Sequence, residues 1–422
     1  MTKFLQIFKI PDLRKKILMV AFLLVIFRIF AAVPIPGIDA AQLQNFFASN
    51  QLFSFLNVFS GGGLSNLSIM MLGVGPYITG SIIMQLLTII FPSLKKAYHE
   101  EGPEGRAKFN RYSRYLTVPL AILQGYGFLN LLIAQGVLER LPFFSLIANV
   151  LVITTGSILL MWIGELITEY KVGNGISLII FAGIVSALPQ QIAGSIFNYT
   201  PDVLPTYLAF IVLSIVVIAG IVFISEGERK IPVSYAKQVR GNKMYGGAAS
   251  YLPLRVNQAG VIPIIFAISV LLFPQFIAQA LAIISPELSF RVNGFVNDIF
   301  GNLIIYSVIY FILVVIFTFF YTAVTFDPSE ISKNLQKSGG FIPGIRPGEH
   351  TREFIAKIVY RITFFGALFL GLVAILPNVT QIITGISSLT LGGTALLIVV
   401  AVALEVMKQL ESQLVMREYE NV

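Results

Sequence analysis

Ten runs of apolar residues alternate with polar stretches along this chain of 422 residues. They cover residues 17–33, 69–91, 116–137, 146–167, 176–188, 208–224, 261–284, 303–321, 362–376 and 389–407. A helix rising 1.5 Å per residue needs about 20 apolar residues to cross the hydrocarbon of a bilayer. The pattern therefore predicts an all-α, polytopic membrane protein of ten transmembrane helices.

Charge orients the spans. With the N-terminus inside, 26 of the 29 Lys and Arg fall on inner loops and tails, and two, Arg140 and Arg291, on outer loops. The remaining one, Arg28, lies inside the first run and is the deepest charge in the pattern. Positive residues resist translocation, so both ends are expected on the cytoplasmic side. The N-terminal lysines and arginines before an apolar run imitate a secretory signal peptide, but nine more spans follow, and the run is read as an uncleaved first helix. A 56% hydrophobic, 12% charged composition excludes an ordinary soluble domain, and what the spans leave is loops, without room for a soluble catalytic domain. The basic balance, with a pI near 9.5, is absorbed by orientation. Zero cysteines exclude disulfides, Cys-ligated zinc and iron–sulfur clusters, and only His99 and His350 are present.

Two segments break the pattern. Residues 64–91 are too long for one straight span and are interrupted by Gly73-Val74-Gly75-Pro76. A half-helix over 64–72, carrying Leu64, Leu67, Ile69, Met70 and Met71, would precede a full helix, tethered upstream by Gly61-Gly62-Gly63. The fifth run opens at Gly173-Asn174-Gly175 and is expected to end at Pro189. An internal echo links the halves. Gly73-Val74-Gly75-Pro76-Tyr77-Ile78 runs on to Phe91-Pro92, and Gly260-Val261-Ile262-Pro263-Ile264-Ile265 runs on to Phe273-Pro274. By the charge topology these helices have opposite polarity, which is what an inverted repeat leaves behind. The expected division is two pseudo-symmetric halves of five helices each, residues 1–195 and 196–422.

Two inner loops exceed what orientation requires. Residues 225–258 hold Arg229, Lys230, Lys237, Arg240, Lys243 and Arg255, with a turn signal at Arg240-Gly241-Asn242-Lys243, and read as a basic hairpin. Residues 325–361 start a short helix with Asp327 as N-cap and Pro328 in its first turn, stopped at Gly339-Gly340. Pro343-Gly344-Ile345-Arg346-Pro347-Gly348 then presents one arginine on a rigid turn, before a new helix capped by Thr351. The loops serve either as positive-inside anchors or as docking surfaces for an external partner.

Within the spans no nucleotide loop, metal spacing or nucleophile motif occurs. Glu165, Glu226 and Glu405 fall at inner helix ends, and no acid lies at a midplane, which counts against an ion-coupled transporter. A membrane-embedded enzyme would need a polar catalytic cluster, also absent from the sequence. The amides Gln85, Gln124 and Asn257 are either interhelical glue or, if they meet, a reversible latch. Ile78 and Ile82, Ile180 and Ile184, Ile265 and Ile398 are core or lipid-facing by periodicity alone; ringed together they could gate a pore by dewetting.

The chain resembles the SecY family, the channel-forming subunits of the bacterial Sec protein translocon, over nearly its whole length. The resemblance rests on Gly75-Pro76-Tyr77-Ile78, Glu104-Gly105-Arg106 with Arg111-Tyr112 and Arg114-Tyr115, and Gly173-Asn174-Gly175-Ile176-Ser177. Tyr235-Ala236-Lys237, Leu252-Pro253-Leu254-Arg255-Val256-Asn257, Lys337-Ser338-Gly339 and Pro343 to Gly348 complete it. The resemblance implies a non-enzymatic conduit for unfolded polypeptide, with two halves closing around a central pore that opens sideways to release transmembrane segments into membrane lipid. It implies a pore ring of Ile78, Ile82, Ile180, Ile184, Ile265 and Ile398, a plug at 64–72, and a lateral gate between the second and third helices and the seventh and eighth. It implies no cofactor, location in the bacterial cytoplasmic (inner) membrane, and docking of the ribosome or the SecA motor ATPase on the two basic loops. Small SecE and SecG membrane subunits, signal sequences and nascent polypeptides would be the other partners.

Overall fold

A computed structural model describes residues 10–35, 60, 62–64, 67–99, 101–134, 136, 138–197, 204–235, 238–240, 243–245, 249–285, 287, 288, 291, 292, 294, 296, 301–384 and 392–420. Among them the chain forms α1 (Pro11–Ala31), α2 (Gly75–Ile90), α3 (Pro92–His99), α4 (Gly102–Ala134), α5 (Phe143–Glu169), α6 (Gly175–Phe197) and α7 (Leu204–Glu226). Strands β1 (Glu228–Tyr235), β2 (Gln238–Arg240), β3 (Lys243–Tyr245) and β4 (Ala249–Arg255) follow. The chain then continues through α8 (Ile262–Ile284), α9 (Leu303–Thr325), α10 (Pro328–Lys337), β5 (Gly340–Phe341), α11 (Glu349–Thr384) and α12 (Gly392–Glu420). Each of the ten apolar runs falls on a helix; α3 and α10 are the short additional ones. Helices α4, α5, α7, α9 and α11 contain stretches long and apolar enough to cross a membrane.

The helix starts follow from local chemistry. Proline occupies the first turn of α1, α2, α8 and α10, where a missing amide hydrogen costs nothing. Asn302 caps α9 by accepting from the amides of Ile304 (3.0 Å) and Ile305 (3.3 Å). Asp327 accepts from Ser329 N at 2.8 Å, as the sequence predicts.

Apolar lipid gives helices little reason to associate, so close contact depends on small residues and buried polar pairs. Gly175 lies against the Gly164 carbonyl where α5 meets α6, and Gly80 against the Ser113 carbonyl where α2 meets α4. Asn378 of α11 donates to Ser307 Oγ of α9 at 3.0 Å, with both side chains buried. Contacts run α2–α4–α5–α6 on one side and α8–α9–α11–α12–α7 on the other. The sides meet where α8 touches α2 and α4, and where α12 touches α6.

Three expectations are corrected. Residues 67–74 form successive turns, not a half-helix. Leu67 (φ +40°) and Gly73 (φ +59°) leave the helical region, and Gly73 N and Gly75 N bond to carbonyls three residues back. The tether expected at Gly61-Gly62-Gly63 is packed at Gly63, where an added Cβ would meet Ser68 Oγ at 2.8 Å; Gly61 lies outside the described residues. Helix α6 runs through Pro189, because a proline costs one helical bond and membrane helices tolerate the gap. Arg28 occupies the last turn of α1, its guanidinium carbon 5.9 Å from the centroid of the Phe27 ring.

The two inner loops form a single unit. β1 pairs antiparallel with β4 from Glu228↔Arg255 to Ser234↔Ala249, and β5 pairs with the far end of β1 through Ser234↔Phe341 and Tyr235↔Gly340. Ile231, Val233, Leu254, Ile342, Ile355 and Val359 make a separate small core beneath this sheet.

Candidate functional site

The centre of the molecule is built from two matching chain reversals. Gly73 and Gly260 both take left-handed backbone, φ +59° and +60°, a region open to glycine without a Cβ penalty. The next residues, Val74 (φ −89°, ψ 4°) and Val261 (φ −94°, ψ −7°), are nearly superposable. Each carbonyl accepts the amide four residues on, Ile78 N at 3.0 Å and Ile265 N at 3.3 Å. The sequence echo is thus an echo of conformation, and it carries Ile78 and Ile265 to equivalent points in α2 and α8.

Ile78, Ile82, Ile180, Ile184, Ile265 and Ile398 are each 6% exposed or less and share one apolar cluster drawn from both sides of the molecule. Met70 and Val74 belong to the same cluster. Leu64, Leu67 and Met71 instead join Phe128, Leu129 and Leu132 of α4 and Val150 and Ile153 of α5, with Ile69 packed against both clusters. The turn segment is pinned by backbone bonds to the chain leaving α1: Ile35 N to Leu67 O at 2.8 Å, and Ile69 N to Val33 O at 3.0 Å.

Beside the isoleucines lies a cleft of about 450 Å³. Its walls combine Tyr77, Ser81 and Gln85 of α2, Asn110 and Arg114 of α4, Glu165 and Thr168 of α5, Ser177 of α6, Ile262, Ile265 and Phe266 of α8, and Tyr321 of α9. Arg114 Nε meets Glu165 Oε1 at 2.5 Å, joining α4 to α5. A second cleft of about 510 Å³ shares Asn174, Ser177, Ile262 and Tyr321 with the first and adds Arg255, Asn257, Gln258, Glu405 and Lys408. Lys408 pairs with Glu226 at 2.8 Å. An apolar cluster flanked by polar clefts is an arrangement in which dewetting can hold back ions.

The three amides do not bond to one another. Gln85 lines the first cleft with its Oε1 buried and unpartnered, and Gln124 is buried in α4. Asn257 donates to Gly260 O at 3.2 Å, which braces the reversal into α8. Of the basic residues, Arg229, Lys230 and Arg346 are exposed, and Lys230 pairs with Glu228 at 3.3 Å. Arg240 and Lys243 are register partners in the β2–β3 pair, and Lys237 lies outside the described residues. Thr351 does not cap α11, which starts at Glu349; its hydroxyl donates to Arg346 O at 2.9 Å. Ser332 Oγ donates to Gly348 O at 2.6 Å, so both shoulders of the arginine turn are tied down. Asn110 and Tyr321 carry no sequence signal of their own, because each reaches the cleft only through helix packing.

The SecY family profile matches residues 68–407. The protein translocase subunit SecY of Corynebacterium glutamicum is 43% identical over 445 residues, covering 100% of both chains. That of Streptomyces galbus is 41% identical, covering 100% of this chain and 99% of its own. Among solved structures, a protein-conducting channel superposes with a TM-score of 0.64 at 20% identity, over 93% of this chain and 90% of the other. The channel of a canine ribosome–channel complex from the endoplasmic reticulum gives 0.63 at 20% identity, with the same coverage.

Proposed function

Because the chain belongs to the SecY family of protein translocase subunits, we propose that the shared cluster of isoleucines is the constriction through which it passes unfolded polypeptide. The protein is a multi-pass membrane channel for proteins and not an enzyme. The observation that carries the constriction is the matched pair of reversals, which sets Ile78 and Ile265 at equivalent points of two helices that touch across the two sides of the molecule. Ile82, Ile180, Ile184 and Ile398 complete the ring. Branched apolar side chains repel a thin water column yet yield to a chain that brings its own apolar groups.

On this reading residues 64–72 are the plug, and the seam of α8 with α2 and α4 is the lateral gate through which an apolar segment leaves for lipid. The two halves, 1–195 and 196–422, part at that seam. Arg229, Lys230, Lys237, Arg240, Lys243 and Arg346 dock a cytoplasmic driver, the ribosome or SecA, and the exposed faces of outer helices accommodate SecE and SecG. The membrane is the bacterial inner membrane, with both termini in the cytoplasm, in keeping with the 26 inner Lys and Arg.

The ring is tested by ion conductance. Ile82→Asn and Ile265→Asn, purified and reconstituted into vesicles, should leak ions on the order of tenfold more than the unaltered channel, because one amide wets an apolar girdle. Two variants as tight as the parent would remove the assignment.

A further inference from the structure

We propose that Gly156 of α5 is the seat of the turn segment, and that the segment rests closed only while position 156 lacks a side chain. This rests on reading the segment as the plug. A Cβ built on Gly156 would lie 1.9 Å from the carbonyl oxygen of Ile69, 2.8 Å from its carbonyl carbon and 3.4 Å from Met70 Cα. The obstructing atoms are backbone, so no rotamer change relieves the overlap. Either the segment lifts or α5 moves.

The geometry favours the segment. Gly156 lies near the middle of α5, a helix of 27 residues, and further along that helix Gly164 seats against Gly175 and Glu165 pairs with Arg114. The segment is a string of turns, with Leu67 in the left-handed region at φ +40°, unfavourable for a side-chain-bearing residue, and a second positive φ at Gly73. Ile69 is clamped from both directions: its amide donates to Val33 O, and its carbonyl occupies the hollow over Gly156. Met70, the next residue, lies in the same cluster as Ile78, Ile82 and Ile265. A push at the Ile69 carbonyl therefore reaches the constriction within one residue. Close backbone approach across a glycine is common between membrane helices. Here it joins a helix to a non-helical segment held by short turn bonds and by two bonds to the chain leaving α1, without the continuous ladder that stiffens α5.

The chain has no cysteine, so a single one can report the seat. Met71→Cys sits at a buried position and should be alkylated slowly in membranes carrying the otherwise unaltered channel. Adding Gly156→Ala, and more so Gly156→Leu, should speed alkylation on the order of tenfold or more, and Gly156→Leu without the cysteine should raise ion conductance. In a chain lacking residues 65–71, Gly156→Leu should change neither thermal stability nor conductance, because the atoms it would strike are gone. Equal destabilisation of the full and deleted chains would make Gly156 an ordinary packing residue and overturn the seat, as would a protected cysteine in the Gly156→Leu channel. If the cysteine becomes exposed but neither Gly156→Leu nor the deletion leaks ions, the seat stands and the plug reading falls.

Discussion

At the scale of single residues, the proposed constriction rests on where the backbone can go left-handed. Gly73 and Gly260 lie on opposite sides of the molecule with φ within a degree of each other. The Gly-x-x-Pro spacing was legible in the sequence. The conformation was not, because a glycine before a helix is compatible with several turns. Around Gly260 no atom lies within 4 Å of an added Cβ, so any cost of substitution there is purely one of backbone strain. Gly260→Ala should therefore destabilise by about 1–2 kcal/mol, read as a lower thermal midpoint in detergent. Gly75→Ala is the control, since Gly75 has the same open space and no positive φ, and it should cost little. Equal losses at both positions would show that the reversal is not what Gly260 contributes.

Secondary elements were legible where they were local. The antiparallel pairing of β2 with β3, the Asp327 cap and the ten apolar runs all depend on residues close in sequence. The joint between the two basic loops was not legible. β5 is two residues long, too short for any alternation to show, and its partner lies about a hundred positions earlier. Apolar content misled at 64–72, because burying Met70 in one cluster and Leu67 and Met71 in another suits a string of turns better than one helical stripe. The joint has a consequence for docking. Arg346 stands on a turn tied down by Thr351 and Ser332, next to a sheet that leads through β4 into α8. Arg346→Glu should sharply slow translocation driven by a ribosome or motor, while Arg346→Lys retains most of it and both insert normally. Charge reversal repels an acidic partner surface, and a rigid turn cannot swing the wrong charge away. Wild-type rates with the reversed charge would end the docking role of this tip.

At the scale of the whole molecule, charge predicts a topology, but no sequence feature said which helices touch across the middle. The structure brings α8 against both α2 and α4 on one side, whereas α12 meets α6 on the other and holds on further through Gln413, whose amide donates to the Lys171 carbonyl. If the halves part, they should part at α8, where the two clefts already separate the elements and the Gln85 carbonyl oxygen has no partner. A seam without interlocking hydrogen bonds among its described residues gives way to an incoming apolar segment at small cost. A lock tests this directly in a chain free of cysteine. Single cysteines at Ser81 or Gln85 of α2, paired with one at Ile262 or Phe266 of α8, line the same cleft. At least one pair should come within the roughly 4.4–6.8 Å Cα separation that a disulfide requires. Oxidising that pair should stop transport of a secretory polypeptide and reduction should restore it, with each single-cysteine channel unaffected. A lock between α12 and the turn leading into α6, such as Val406→Cys with Gly173→Cys, should be far less inhibitory, because those positions already pack closely and need not separate. Full transport through a quantitatively locked α2–α8 pair would show that the chain does not open at this seam.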